Sequence, residues 1–206
     1  MDHDWVEVRT AHFTFFSDLE PRFATESARQ LERLREVLSR TSPGMNPDPD
    51  RPFRVFLFRD STGCSPYGHA SDLGAAGYEL PTRDAIYVVL RPDERGALRI
   101  LFHEYLHAFL HASIGVPPPW LDEGLAEYSS TFRVSGTSAE VGHAVPENLL
   151  LLRGGDVLSL GHLLVSAGTR QISRSMRSGG RSSMPNRGRS FTTCSQHDCR
   201  EQAVAP

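Results

Sequence analysis

The chain has 206 residues, 39% of them hydrophobic and 23% charged. That suffices for one globular domain with a sizeable core, while no apolar run approaches the roughly 20 residues a membrane-spanning helix needs. Residues 1–168 carry 15 arginines against 23 acids, a balance of −8. Such a body repels phosphate, which argues against nucleic acid as its partner.

Trp5 to Val8 and Phe13 to Phe16, rich in aromatic and β-branched residues, read as two short strands joined by a turn at Thr10-Ala11-His12. Glu20 to Arg40 reads as an amphipathic helix. Pro21 stands near its start, and Phe23, Ala28, Leu31, Leu34 and Leu38 recur at helical spacing. Thr41 to Pro52, with its prolines, Gly44 and Asn46, is a loop. Phe53 to Phe58 and Ala85 to Leu90 have the composition of strands, and the glycine-rich Ser61 to Gly77 between them is an irregular loop. Gly96 to Ser113 is a helix that Pro117-Pro118-Pro119 cannot continue, and Trp120 to Ser130 is a second. Val145 to Leu152 and Leu158 to Val165 read as further short helices. Strands, helix, strands and then helices make an α+β pattern, a small mixed sheet followed by a helical half. The sheet-containing part covers about 1–95 and the later helices about 96–168.

Residues 169–206 differ in kind, with 7 arginines, 7 serines and one aromatic, Phe191. Such a segment cannot bury enough apolar surface to offset the entropy of ordering, so it reads as a disordered tail. Translation out of frame is a sharper reading. Back-translated with suitable codons and shifted by one nucleotide, Thr169 to Cys194 acquires charged- and aromatic-helix character. Within the tail, Cys194 and Cys199 stand at C-x4-C spacing around His197, a faint metal-binding pattern in a segment that reads as unfolded.

The chemistry-bearing residues are His103-Glu104-Tyr105-Leu106-His107. Four residues apart on a helix, His103 and His107 lie one above the other and can both reach one Zn²⁺ at about 2.0–2.1 Å. Glu104, beside the first histidine, then serves as general base on a metal-activated water. Apolar Leu98, Leu101, Phe102, Leu106, Phe109 and Leu110 surround these groups. Burying them there is costly without a partner such as a metal. A catalytic zinc needs a third protein ligand, and Glu123 supplies a carboxylate just after the proline break, with 15 residues between it and His107. Glu127, one turn beyond, is placed to accept the other ring N–H of a histidine ligand, His103. Asp122 points elsewhere at helical spacing and is read as solvated or capping, and Gly124 as permitting close backbone approach. His111, a further turn along, lies too far to share the ion. Ala85 to Leu90 is either a sheet edge on which a peptide docks or a plain core strand.

His103-Glu-x-x-His107 followed by Trp120-Leu-x-Glu123-Gly-x-Ala126-x-Tyr128 resembles the gluzincin metallopeptidases, and within them the peptidase MA-like group. The resemblance implies a zincin-like fold, zinc held by His103, His107 and Glu123, and Glu104 as the base. It also implies a downstream Tyr or His that stabilises the oxyanion, a role no residue of this sequence is assigned. The expected function is a zinc-dependent peptidase acting on a peptide or protein substrate. The alternative is a catalytically inactive zinc- or peptide-binding relic of one. No signal peptide or membrane segment is visible. The chain therefore reads as cytoplasmic as it stands, although similar proteins are often exported.

Overall fold

The computed structural model describes residues 5–60, 77–91, 96–155 and 158–165. Residues 61–76 of the loop expected over Ser61 to Gly77, and the tail over 169–206 with its Cys194 and Cys199, lie outside them; Gly77 itself belongs to a strand. The fold is α+β. Strands β1 (Val6–Arg9), β2 (Phe13–Ser17), β3 (Phe53–Leu57), β4 (Gly77–Pro81) and β5 (Ile86–Leu90) form a mixed five-stranded sheet in the order β1-β2-β3-β5-β4. The three central strands run parallel, and the two outer ones antiparallel to their neighbours. A parallel pair needs a crossover, and helix α1 (Pro21–Thr41) provides it between β2 and β3.

Alternation along the strands decides where the core lies. Phe13 and Phe15, Phe53, Val55 and Leu57, and Ile86, Val88 and Leu90 are all buried on one face. Against them pack Ala24, Ala28, Leu31 and Leu34 of α1, and Leu101, Phe102, Tyr105 and Ala108 of helix α2 (Ala97–Ile114). Tyr105 sits edge-on between Phe13 and Phe53, with ring centroids 5.3 and 5.6 Å away, and its hydroxyl donates to the Pro47 carbonyl at 2.7 Å. Arg35 of α1 grips Asp48 through two hydrogen bonds of 2.7 and 2.6 Å, which pins the proline-rich loop beside that contact. Truncating fully buried Leu101 to Ala would cost about 2–5 kcal/mol.

Two elements escape the sequence reading. β4 occupies residues with no strand expectation, and it makes Ile86–Leu90 an interior strand between β3 and β4. The reading of Ala85 to Leu90 as a peptide-docking edge is therefore corrected: among the described residues, the edge on that side is β4. The second is an exposed hairpin, β6 (Arg133–Ser135) and β7 (Ser138–Glu140), joined by Gly136-Thr137. Gly136 has φ 60°, which a two-residue turn of this kind demands at its first position.

Helices α3 (Pro119–Ser130), α4 (Pro146–Arg153) and α5 (Leu160–Val165) complete the described chain. Gly115, at φ 75°, ends α2. Pro119 then stands in the first turn of α3, where the missing N–H costs nothing. Ala126 of α3 is wholly buried against Leu106, Phe109 and Leu110 of α2. α2 thus meets the sheet on one side and α3 on another. Among the described residues no helix is long and apolar enough to cross a membrane.

Candidate metal centre

His103, Glu104 and His107 lie on α2. Glu104 is 5% exposed and His107 7%. The proline break folds α3 back so that its first turns face them. His103 Nε2 stands 3.1 Å from His107 Nε2 and 3.3 Å from a Glu123 carboxylate oxygen, and His107 Nε2 is 3.9 Å from the same oxygen. A tetrahedral ion with ligands at about 2.0–2.1 Å holds them about 3.3 Å apart, and the three separations bracket that value.

The far sides of both rings are held by carboxylates. His107 Nδ1 lies 3.0 Å from Asp122 Oδ1. An ionised carboxylate only accepts, so the ring proton is on Nδ1 and the Nε2 lone pair faces the centre. Glu127 Oε2 is 3.6 Å from His103 Nδ1. Glu127 is itself steadied by Arg99 of α2 and by Asn148 Nδ2 of α4 at 2.7 Å. The His103 ring beside it is the main reason its carboxyl falls to about 2, and Asn148 and Arg99 add to this against burial. With both Nδ1 atoms turned to carboxylates, two imidazole Nε2 atoms and one carboxylate oxygen converge on a point. Such a donor set calls for a cation.

Burial works to lower the His103 pKa, but Glu123 and Glu127 outweigh it and raise it to about 9.

Asp122 is a correction to the sequence reading. Its side chain is 13% exposed and neither solvated nor a helix cap. Its two oxygens take His107 Nδ1 and His111 Nε2, each at 3.0 Å. Burial favours its neutral form, yet the two histidines overcome this and hold the carboxyl far below its usual range. His111, expected to stand apart, is thereby tied to the centre through Asp122. His107, His111 and Asp122 also have atoms close enough for a metal. An ion there would need His107 to give up both ring protons while Nε2 served the first centre, so this trio is a hydrogen-bonded chain. Gly124 is a second correction: a Cβ built on it meets nothing within 4 Å, so no close backbone approach depends on it.

The sequence reading assigned no role to Glu79, on β4. Glu79 pairs in register with Val88, which points into the core, so both lie on the sheet face that packs against α2. Two residues earlier on that face, Gly77 lies so near α2 that a Cβ would come within 2.7 Å of Ile100 Cγ2. Burial first, and the Glu104 carboxylate second, push the Glu79 pKa up to about 7. Charged neighbours that act on it further include His107 and His111 on α2 and Asp122 on α3.

Compared with known proteins, the chain matches no protein-family model and no curated protein sequence.

Proposed function

We propose that the chain is a zinc-dependent peptidase of zincin-like fold. The observation that carries this reading is the convergence of His103 Nε2, His107 Nε2 and a Glu123 oxygen, with Glu104 buried on the same helix. Zinc held by these three groups would polarise a carbonyl oxygen and lower the pKa of water at the site. The chain's own residues supply the rest. Glu104 accepts the proton of the attacking water and returns it to the leaving amine. Asp122 and Glu127 fix the two rings, so that both Nε2 lone pairs stay aimed inward. The outer edge of β4, unpaired among the described residues, offers backbone N–H and C=O groups to an extended peptide. Binding as an added strand would carry a scissile bond past Glu104.

The test is zinc-loaded protein against an unstructured polypeptide, with and without chelator. Hydrolysis should be chelator-sensitive. Glu104→Gln should lower it about 100-fold or more while leaving the zinc content unchanged. Undiminished hydrolysis by that variant would overturn the mechanism, and no hydrolysis by the zinc-loaded wild type would overturn the peptidase reading.

A further inference from the structure

Helix α4 is tied to α3 by Asn148, whose Nδ2 donates to Glu127 Oε1 at 2.7 Å, and this sets the rotation of the short helix. Leu150, two residues on, points about 200° away from Asn148 and therefore outward. It is 67% exposed, and Leu149, Leu151 and Leu152 beside it are exposed too. No residue of α4 is buried. Leu158 and Leu164, a little further along the chain, are likewise exposed.

A monomer rarely leaves open a contiguous apolar patch beyond a few hundred Å². These six leucines expose the equivalent of about three whole residues, or about 600 Å², where a stable interface takes about 800 Å² from each partner. Residues 169–206 hold no leucine and only five large apolar side chains, too few to match such a surface. A second copy brings a surface of the same size and kind.

The charges around Leu150 favour that occupant. Glu147, in the first turn of α4, and Arg153, in the last, stand three residues to either side of Leu150 on the same stripe, and both are exposed. Opposite charges at the two ends of a stripe match an identical stripe only when it runs the other way. An antiparallel pair with its two-fold axis at Leu150 sets the two Leu150 side chains together and brings Glu147 of each copy level with Arg153 of the other. A parallel pair would set like charges level with each other.

We infer that two copies of this chain associate through α4, packed antiparallel about Leu150, with Glu147 and Arg153 pairing at both ends of the contact. The association is independent of the peptidase reading, since it needs neither metal nor substrate.

Sedimentation equilibrium of the full chain, from about 1 to 100 µM, reads the mass and the dissociation constant. Wild type should reach the mass of two chains. Leu150→Glu sets two carboxylates at the centre of the contact and should stay at one chain, with an unchanged circular dichroism spectrum because Leu150 is exposed. Should that spectrum change, the charge reversals decide. Glu147→Arg and Arg153→Glu, each alone, should raise the dissociation constant about tenfold or more, since each places two like-charged pairs together. The double reversal should return it to within about threefold of wild type. A wild type that stays single at the highest concentration overturns the pairing. It does so whether the leucines then bind the apolar dye ANS, as a surface open to another protein would, or do not, as one covered by residues 169–206 would. A Leu150→Glu variant that still pairs, or a double reversal that pairs more weakly than either single one, overturns the antiparallel contact.

Discussion

Asp122→Asn tests whether the metal centre is built from both sides of the His107 ring. The wild-type carboxylate accepts from His107 Nδ1 and His111 Nε2 at 3.0 Å each, which leaves His107 Nε2 as a lone pair. An asparagine of the same size can satisfy only one of these donors with its oxygen. Its NH₂ group must face the other histidine, and if that is His107 the ring takes the opposite tautomer. The proton then sits on Nε2, where it blocks a ligand bond. Carboxylates in this position are worth about 10–100-fold in metal affinity, or about 1.4–2.8 kcal/mol. Asp122 is mostly buried, so solvent offers little compensation, and the upper half of that range is expected. Competition between the protein and a fluorescent zinc chelator at pH 7.5 reads the affinity directly. Glu36→Gln, on an exposed ion pair of α1, serves as the control and should leave it unchanged. Zinc affinity of Asp122→Asn within twofold of wild type would refute the argument that this carboxylate sets the His107 tautomer.

Two other outcomes follow from the same geometry. In the metal-free fold His103 is raised from 6.5 to about 9. The stabilisation this brings is fully present below 6.5 and is lost as pH rises through about 9. Zinc must displace that proton, so binding near pH 7.5 should release about one proton from His103, and affinity should rise about tenfold per pH unit from 7 to 8. Calorimetry in buffers of different ionisation enthalpy measures the release, and a value near zero would contradict the assignment. Gly77→Ala would drive a Cβ to 2.5 Å from Leu90 Cδ2 and 2.7 Å from Ile100 Cγ2, so these side chains or β4 itself must shift. Urea unfolding should show a loss of about 1–3 kcal/mol, and an unchanged midpoint would show that β4 and α2 are not in close contact.

The helix carrying His103 and His107 and its partner were legible because their signals are local. Histidines four apart, an apolar surround and three successive prolines each speak within a few residues, and the structure brings His103, His107 and Glu123 together. The core strands were legible from their aromatic and β-branched content, while the strict alternation of burial along Phe13 to Ser17 and Phe53 to Leu57 belongs to the fold. β4 was not, because Gly77-Tyr-Glu-Leu-Pro81 starts and ends on residues that weaken strands. Proline is tolerated there only because the strand lies at an edge, a fact of tertiary pairing. The β6–β7 hairpin is exposed throughout, so no polarity pattern marks it, and Gly136 alone hints at the turn.

Asp122 shows a different limit. Adjacent helical residues diverge by about 100°, which suggested that Asp122 and Glu123 could not serve one site. An imidazole ring has nitrogens on opposed edges, and α3 straddles His107 so that Glu123 lies toward one and Asp122 holds the other. Spacing rules count positions along one helix. They carry no information on how a second helix is offset across it. Glu79 was missed for a related reason: its partner Glu104 lies on another element, 25 residues on.

The centre itself is tested most directly by zinc content. Wild type and His107→Ala, each purified, saturated with zinc and desalted at pH 7.5, should be compared by elemental analysis. One zinc per chain in the wild type and less than about a tenth of that in His107→Ala is the result this geometry requires, since losing one of three ligands removes a full coordinate bond. A wild type that retains no zinc, or a variant that retains as much as the wild type, would contradict it.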